Sequence, residues 1–369
     1  MAAELAVQVR RLTLIAPASA DTVNPDFDSA APELPVRLQS WLTQCWGKPV
    51  EVTGLRRFPA GMSWVTIGFI AASPGEAPLE LILRVGDPGG LFSPYSSRPE
   101  FEALSALSSV RDLPIPKAYE HSDDPSILGA PFVITQCVHG DTPTPWAGAD
   151  ERGETANQSL GHDFADALGA IHAFDWTYTP LAEWVAGSEG PITPQTTALH
   201  ETHRWVRHAN LGVGPTPPQM HYAMRWLEAH APEAERITIV HGDYRVGNFL
   251  QQSGRITAIL DWELVHLGDP HADLAWAGLR TFAAGTTRIG GLIDRDVFYS
   301  RWQARTGLQV RQDVVRYYEV MVQFKMAAML MGAMIRVQTG CSRDVRMAAM
   351  GFQLTSTLIE LNKLIAEAA

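Results

Sequence analysis

Asp243, Asn248 and Asp261 are the residues of this chain whose types and spacing could carry chemistry together. They lie in VHGDYRVGNFL (240–250) and RITAILDWE (255–263). The run ITIV (237–240) reads as a short apolar strand with His-Gly-Asp at its end, and Asn248 follows five residues after Asp243. FLQ, a turn at Ser253-Gly254 and RITAIL then form a hairpin, with Asp261 closing its second strand. Two carboxylates and one amide therefore occupy loop ends around one hairpin, where a folded sheet brings them to one rim. Phosphoryl transfer needs such a set: one Asp accepts the proton of an attacking hydroxyl, and an Asn and a second Asp offer hard oxygens to a Mg²⁺ that bridges nucleotide phosphates. Arg245, two residues after Asp243, could neutralise the transferred phosphate. Taken singly, each of the three has a plainer use as a turn or capping residue.

The tetrapeptide VHGD occurs twice, and its surroundings separate the copies. The first, at 138–141, leaves a strand and runs into TPTP, whose two prolines make an extended connector. Asp141 is expected at a hinge or turn. The second copy is the one surrounded by the hairpin and the other two polar groups.

These residues need elements to position them. PELPVRLQSWLTQCWG (32–47) has helical spacing and ends at Gly47. Three strand-like runs follow, VEVTGL (50–55), SWVTIGFIA (63–71) and LELILRVG (79–86), joined by RRFPAGM and ASPGEAP as turns. PEFEALSAL (99–107) is a short helix with Pro99 in its first turn, and PFVITQCVHG (131–140) is a further strand that closes the sheet. Beyond about residue 141, proline-rich connectors separate long helical patterns, among them GHDFADALGAIHAF, ALHETHRWVRHA and PQMHYAMRWLEAHAP. The class is α+β: a small antiparallel β lobe over 1–138, its first 30 residues a peripheral arm, then a larger, mainly helical lobe over 139–369.

On those segments the sequence resembles the aminoglycoside phosphotransferase-like kinases, which include choline kinase-like enzymes. HGDYRVGNFL and ILDWE match their two signature segments. LDWELVHLGDPHADLAW looks most like a subgroup of bacterial phosphotransferases and of kinase domains fused to acyl-CoA dehydrogenases. Order and spacing agree over roughly residues 48 to 280. The resemblance implies a protein kinase-like two-lobe fold, ATP and Mg²⁺ as cofactors, and a small-molecule hydroxyl as phosphate acceptor. It implies Asp243 as catalytic base and Asn248 and Asp261 as metal ligands. It also implies FPAGMS as the nucleotide-covering loop, with the N–H groups of Gly61, Met62 and Ser63 on phosphates, although a plain turn would look the same. LILRVG becomes the strand of the phosphate-pairing cation. The general kinase pattern has lysine there; this chain has only Lys48, Lys117, Lys325 and Lys363, and Arg84 stands in the place. Its acidic partner is Glu100 or Glu102, with alignment favouring Glu100. Gln136 and Val138, at the exit of ITQCV, would face the adenine through their backbone. Asp273 could brace the catalytic loop or cap a helix, His241 could orient that loop, and Glu263 could reach substrate or metal.

Composition bounds the rest. The chain has 369 residues, 46% hydrophobic, and a formal net charge of −11. That balance argues against a general partner among nucleic acids or anionic membranes. Cys45, Cys137 and Cys341 are far apart and in no metal spacing, which suits a reducing, cytoplasmic setting. MVQFKMAAMLMGAMIRV (321–337) has only ten residues between Lys325 and Arg336, too few to cross a bilayer, and reads as a Met-rich core helix. No GxxxxGK[ST] segment exists, so a P-loop is excluded. His200, His203 and His208 are expected on a solvated helix face. A metal hydrolase would want tighter histidine spacing; a nucleotide-binding pseudokinase is the alternative that the missing lysine suggests. The Met-rich segment 312–336, with Trp146, Trp176, Trp205 and Trp226, points to a less polar acceptor than a polycationic aminoglycoside.

Overall fold

The computed structural model describes residues 33–58, 61–143, 153–187, 190–209, 216–283 and 285–368. The N-terminal arm and Trp146 lie outside them. Helix α1 (Glu33–Trp46) lays Leu34, Leu38 and Leu42 on the sheet, and Trp41 meets Phe132 edge-on at 4.8 Å. Strands β1 (Glu51–Phe58), β2 (Trp64–Ala72) and β3 (Leu79–Gly86) follow in antiparallel succession. β1 runs through Arg56-Arg57-Phe58, which the sequence reading had assigned to a turn, and its register shifts between Thr53 and Arg56. Helix α2 (Arg98–Leu107) comes next.

The sheet has five strands in the order β1-β2-β3-β5-β4. β5 (Phe132–Gln136) therefore does not close it: β4 (Ala118–Ser122) pairs with β5 on the outside. β4 reads AYEHS, half-buried throughout, with Ala118 and Tyr119 adjacent and three polar residues after them, so no alternation announced it. In β3 the pleat sends Leu81, Leu83 and Val85 into the core with α1. Arg84 takes the opposite face, towards the second lobe.

The second lobe is helical around two small antiparallel pairs. Helices α3 (Glu154–Ala173), α4 (Thr197–His208) and α5 (Pro218–Ala229) precede β6 (Thr238–Val240) and the hairpin β7 (Phe249–Gln252)–β8 (Arg255–Ile259). β9 (His266–Gly268) pairs with β6, another short strand missed in the sequence. Then come α6 (His271–Ala277), α7 (Arg295–Thr306), α8 (Gln312–Gln338), α9 (Val345–Met350) and α10 (Leu354–Ala368). α8 is long and apolar enough to cross a membrane by length and composition, but it is the core helix of this lobe. Tyr318, Met321, Phe324 and Ala328 are fully buried in its cluster.

Two glycines set how closely α3 and α7 approach. A Cβ on Gly161 would lie 2.6 Å from the Ile293 Cβ, and one on Gly169 would lie 2.7 Å from the Arg305 Cβ. Gly161→Val is therefore expected to overpack this contact and lower the unfolding free energy by about 1–3 kcal/mol. Urea unfolding monitored by tryptophan fluorescence checks it; an unchanged midpoint would mean the helices can part at no cost.

Candidate active site

The segment joining β6 to β7 is held from beneath by one carboxylate. Asp273, fully buried in the first turn of α6, accepts from the backbone N–H of His241 at 2.7 Å and of Gly242 at 2.9 Å. It also accepts from His172 Nε2 at 3.1 Å, while His172 Nδ1 accepts from Trp302 Nε1 at 2.9 Å. Burial alone would raise its pKa, yet the hydrogen bonds from His172 and from the His241 backbone N–H outweigh it and hold Asp273 below the usual carboxylate range. His241 donates Nε2–H to the Leu260 carbonyl at 3.0 Å and accepts the Asp243 N–H on Nδ1 at 3.2 Å. Burial pushes its pKa down, so the ring is neutral and orients the loop. Gly242 has φ +82°, and a Cβ there would meet the Leu264 carbonyl oxygen at 2.5 Å, so glycine is required.

Asp243 and Asn248 meet directly. Asn248 Nδ2 donates to Asp243 Oδ2 at 2.5 Å and to its carbonyl at 2.9 Å, which leaves the amide oxygen as a hard donor. Asp243 Oδ1 accepts from Trp276 Nε1 at 2.7 Å and from Arg245 Nε at 3.1 Å. Arg245 thus pairs with Asp243 itself and lies over the Phe282 ring. Asp261, at φ +68° in the left-handed region, is tied to the same loop through the Leu260 N–H to Asn248 carbonyl bond, 2.8 Å. The trio expected from spacing is brought to one rim.

Arg84 reaches that rim from the other lobe. Its Nη1 donates to both Glu100 oxygens, at 2.8 and 3.0 Å, and its Nη2 to Asp261 Oδ1 at 2.8 Å. Burial opposes the charge, but Glu100, Asp261 and Glu263 hold the guanidinium pKa above its ordinary value. Glu102 turns away to Arg98 and Trp184 Nε1, so Glu100 is the partner. Burial raises the Glu100 pKa against the pull of Arg84. Glu263 lies 4.0 Å from Arg84, and its Oε2 is buried with no hydrogen-bond partner among the described residues.

The remaining expectations divide. The loop carbonyls of Gly61, Met62 and Ser63 accept from Arg346, Leu91 N–H and Asp87 N–H respectively. Gly61, with φ +95°, turns the chain there. Gln136 N–H is already donated to the Lys117 carbonyl at 2.8 Å, because the unforeseen β4 side of the sheet takes it. Of the two residues expected to face an adenine, only Val138 lies beyond the ladder. Asp141 bridges Gln251 through two backbone bonds of 2.9 Å, which fasten the segment after β5 to β7, with its side chain exposed. His208 is not on a solvated face. It packs on Phe92 and Trp205, and burial, with Arg204 and Arg336 nearby, pulls its pKa down to about 4.

The sequence reading missed Lys325. This buried ammonium on α8 donates to the Gly242 carbonyl and sits 4.0 Å from the Trp276 ring centre and 5.1 Å from that of Trp205. Burial lowers its pKa, opposed first by Glu201. The only signal was a lone lysine in an apolar helix.

Residues 57–308 match the model of a family described as phosphotransferase enzyme family. The chain belongs to that family. Its fold is accordingly kinase-like and its enzyme class that of a small-molecule phosphotransferase. Mouse acyl-CoA dehydrogenase family member 10 is 27% identical over 303 residues, which cover 77% of this chain and 27% of that protein. Chicken acyl-CoA dehydrogenase family member 11 is 28% identical, covering 65% and 30%. The chain thus spans between a quarter and a third of these relatives. A putative aminoglycoside phosphotransferase from Ralstonia eutropha superposes with a TM-score of 0.67 at 23% identity, over 90% of this chain and 98% of that one. A mutant of aminoglycoside phosphotransferase APH(4)-Ia in complex with ADP and hygromycin B gives 0.55 at 16%, over 90% and 99%.

In this member of the phosphotransferase family, Asp273→Asn should test how the loop is held. The amide puts a donor where the carboxylate accepts three N–H groups. The unfolding free energy should fall by roughly 2–4 kcal/mol, the range for stranded buried donors and lost charge-assisted bonds. Denaturant titration reads it, and a loss below half a kilocalorie would show that the loop is held by other contacts.

Proposed function

We propose that the protein moves the γ-phosphate of ATP, with Mg²⁺, to a hydroxyl of a small molecule. The observation carrying this reading is the convergence of Asp243, Asn248 and Asp261 with the Arg84–Glu100 pair at one cleft. The donor set fits Mg²⁺: two carboxylates, a spare amide oxygen and the unpartnered Glu263 Oε2 are all hard oxygens. Asn248 and Asp261 would hold the ion, which when bound neutralises phosphate charge. The nucleotide and hygromycin B in the APH(4)-Ia relative support a nucleotide and a hydroxylated acceptor in the same cleft.

Asp243 has the base role. Its Oδ1 is fixed by Trp276 and Arg245 and its Oδ2 by Asn248, so the carboxylate is oriented before an acceptor arrives. An acceptor hydroxyl bonded to it would pass its proton there as the oxygen attacks phosphorus. Arg84 Nη2 and the loop at Gly61, Met62 and Ser63 would meet the nucleotide phosphates, and Val138 N–H the base. Three free cysteines suit a reducing, cytoplasmic compartment.

A pseudokinase is the second reading, because Arg84 is already bound to Asp261, a residue the metal would need. Titrating ATP with and without Mg²⁺, then screening hydroxylated metabolites for ADP release, separates the two. Metal-dependent ATP binding with no phosphorylated product from a broad screen would favour the pseudokinase.

Asp243→Asn is expected to keep ATP affinity within a few-fold and to cut turnover roughly 10²-fold or more. Asp141→Asn, in the other VHGD, should leave turnover within about twofold, as expected for an exposed side chain remote from the chemistry. Equal losses in the two variants would refute the assignment. Arg84→Ala should weaken nucleotide binding or turnover by about 1.5–3 kcal/mol, the value of a hydrogen bond to a charged group. Arg84→Lys should restore part of it, since charge returns without the fork. Steady-state kinetics in ATP reads both, and full activity of Arg84→Ala would leave Arg84 a structural cation only.

A further inference from the structure

A cavity of about 660 Å³ opens between the segment after β3, α4, residues 263–265 and the end of α8. Its volume suits a small molecule. Its lining is unusual in two respects. First, Trp64, Tyr95, Trp205, His208 and Glu263 all line it, and each has a buried polar side-chain atom without a partner. These are five of the nine such atoms among the described residues, two of them on tryptophans that are 6% and 2% exposed. These atoms are closed off even from water, so they make the wall of the cavity polar just beneath its surface, and a ligand meets them only where the wall parts.

Second, the charge is cationic. Arg204, Arg207 and Arg336 line the cavity, and Glu263 is its one carboxylate among the described residues. Arg204 Nη1 bonds only the Leu264 carbonyl, at 3.4 Å, and Arg336 bonds the carbonyls of Pro88 and Gly89. Neither has a carboxylate within 4 Å among the described residues. Arg204, Arg336 and His208 line the same cavity. Glu263 lies on the side of Arg84.

The cavity also adjoins the chemistry. Trp64 lies over Arg84, 5.5 Å from its ring centre. Trp205 shares Lys325 with Trp276, whose Nε1 bonds Asp243. The Leu264 carbonyl contacted by Arg204 abuts Gly242.

Resting on the phosphotransferase reading, we propose that this cavity holds the acceptor, and that the acceptor is a hydroxylated anion with an apolar or ring-bearing body. Its carboxylate or phosphate lies between Arg204 and Arg336, its body lies against Phe92 and Trp205, and its hydroxyl is directed to the wall of residues 263–265, behind which Gly242 and Asp243 follow. A polycationic amino sugar would instead set ammonium groups against guanidiniums, at a cost in affinity.

The test uses the full chain with MgADP. A panel of hydroxycarboxylates is paired with the methyl esters, a panel of sugar phosphates with the free sugars, and hygromycin B serves as the polycation. Calorimetry reads binding, and ADP release from MgATP reads turnover. Anions should bind at least tenfold tighter than their uncharged partners; the panel that does so distinguishes a carboxylate from a phosphate. Arg204→Gln should erase that advantage while MgATP affinity stays within twofold. Arg336→Gln should do the same, and serves alone if Arg204→Gln does not fold. Equal binding of esters or free sugars, preference for hygromycin B, or no anion binding at all overturns the proposal. So does a loss of MgATP affinity in Arg204→Gln with anion preference intact, which would give these cations to the nucleotide. Anion binding that depends on Arg204, without phosphate transfer to any acceptor, would sink the kinase reading and leave the anion site standing.

Discussion

Arg84 carries a positive charge from a buried strand to a point in the cleft where three carboxylates meet. Glu100 comes from α2, Asp261 from the end of the β7–β8 hairpin, and Glu263 from two residues beyond. Without the guanidinium, two buried acids, Glu100 and Glu263, would stand with Asp261 and no cation between them, and burial would favour their protonated forms. With it, Glu100 is held as a pair and the two lobes are joined across the cleft. Such a pair is poor as a source of net stability, since desolvation offsets much of the attraction. Its effect is positional: it sets where β3, α2 and the hairpin end stand relative to one another.

A second set of buried charges does the same for the segment between β6 and β7. Asp273 holds the loop by its N–H groups from below, and Lys325 holds the Gly242 carbonyl from α8. The loop is therefore gripped at both donor and acceptor. Each grip comes from a helix whose own place is set by apolar packing, α6 and α8 lying in one cluster with Trp276, Tyr318 and Phe324. Sequence distance is irrelevant here; residues 242, 273 and 325 meet because the helical core brings them together. The backbone can then stay in the left-handed geometry that Gly242 and Asp261 adopt.

Those differences in origin explain what could be read from the sequence. Asp243, Asn248 and Asp261 are spaced by a hairpin, a local structure with local turn signals, so their meeting was legible. Arg84 and Glu100 were legible only through a resemblance, because nothing in the alternation of β3 says which helix faces it. β4 and β9 were invisible: one has no apolar alternation and the other has three residues. The missed β4 side also misplaced the donor of Gln136, which the sheet consumes. Lys325 and the burial of His208 depend on which faces of α8 and α4 pack together. Periodicity alone does not settle that, particularly in a helix buried nearly all round.

The replacement of lysine by arginine in β3 has a geometric meaning. A lysine offers one nitrogen, which must serve both the acid of α2 and whatever lies across the cleft. Arg84 divides the work: Nη1 takes both oxygens of Glu100, and Nη2 alone takes Asp261. The bond to Asp261 can thus be exchanged for one to another anion without disturbing the bond to Glu100. Asp261 is the more exposed of the two partners, 36% against 5%, so it is also the one that water or a ligand can draw away. The fork lets α2 stay docked while the other contact changes, which a point charge on a flexible stem could do only by moving. The Arg84–Asp261 contact is consequently compatible with turnover: it occupies the cleft without committing the strand.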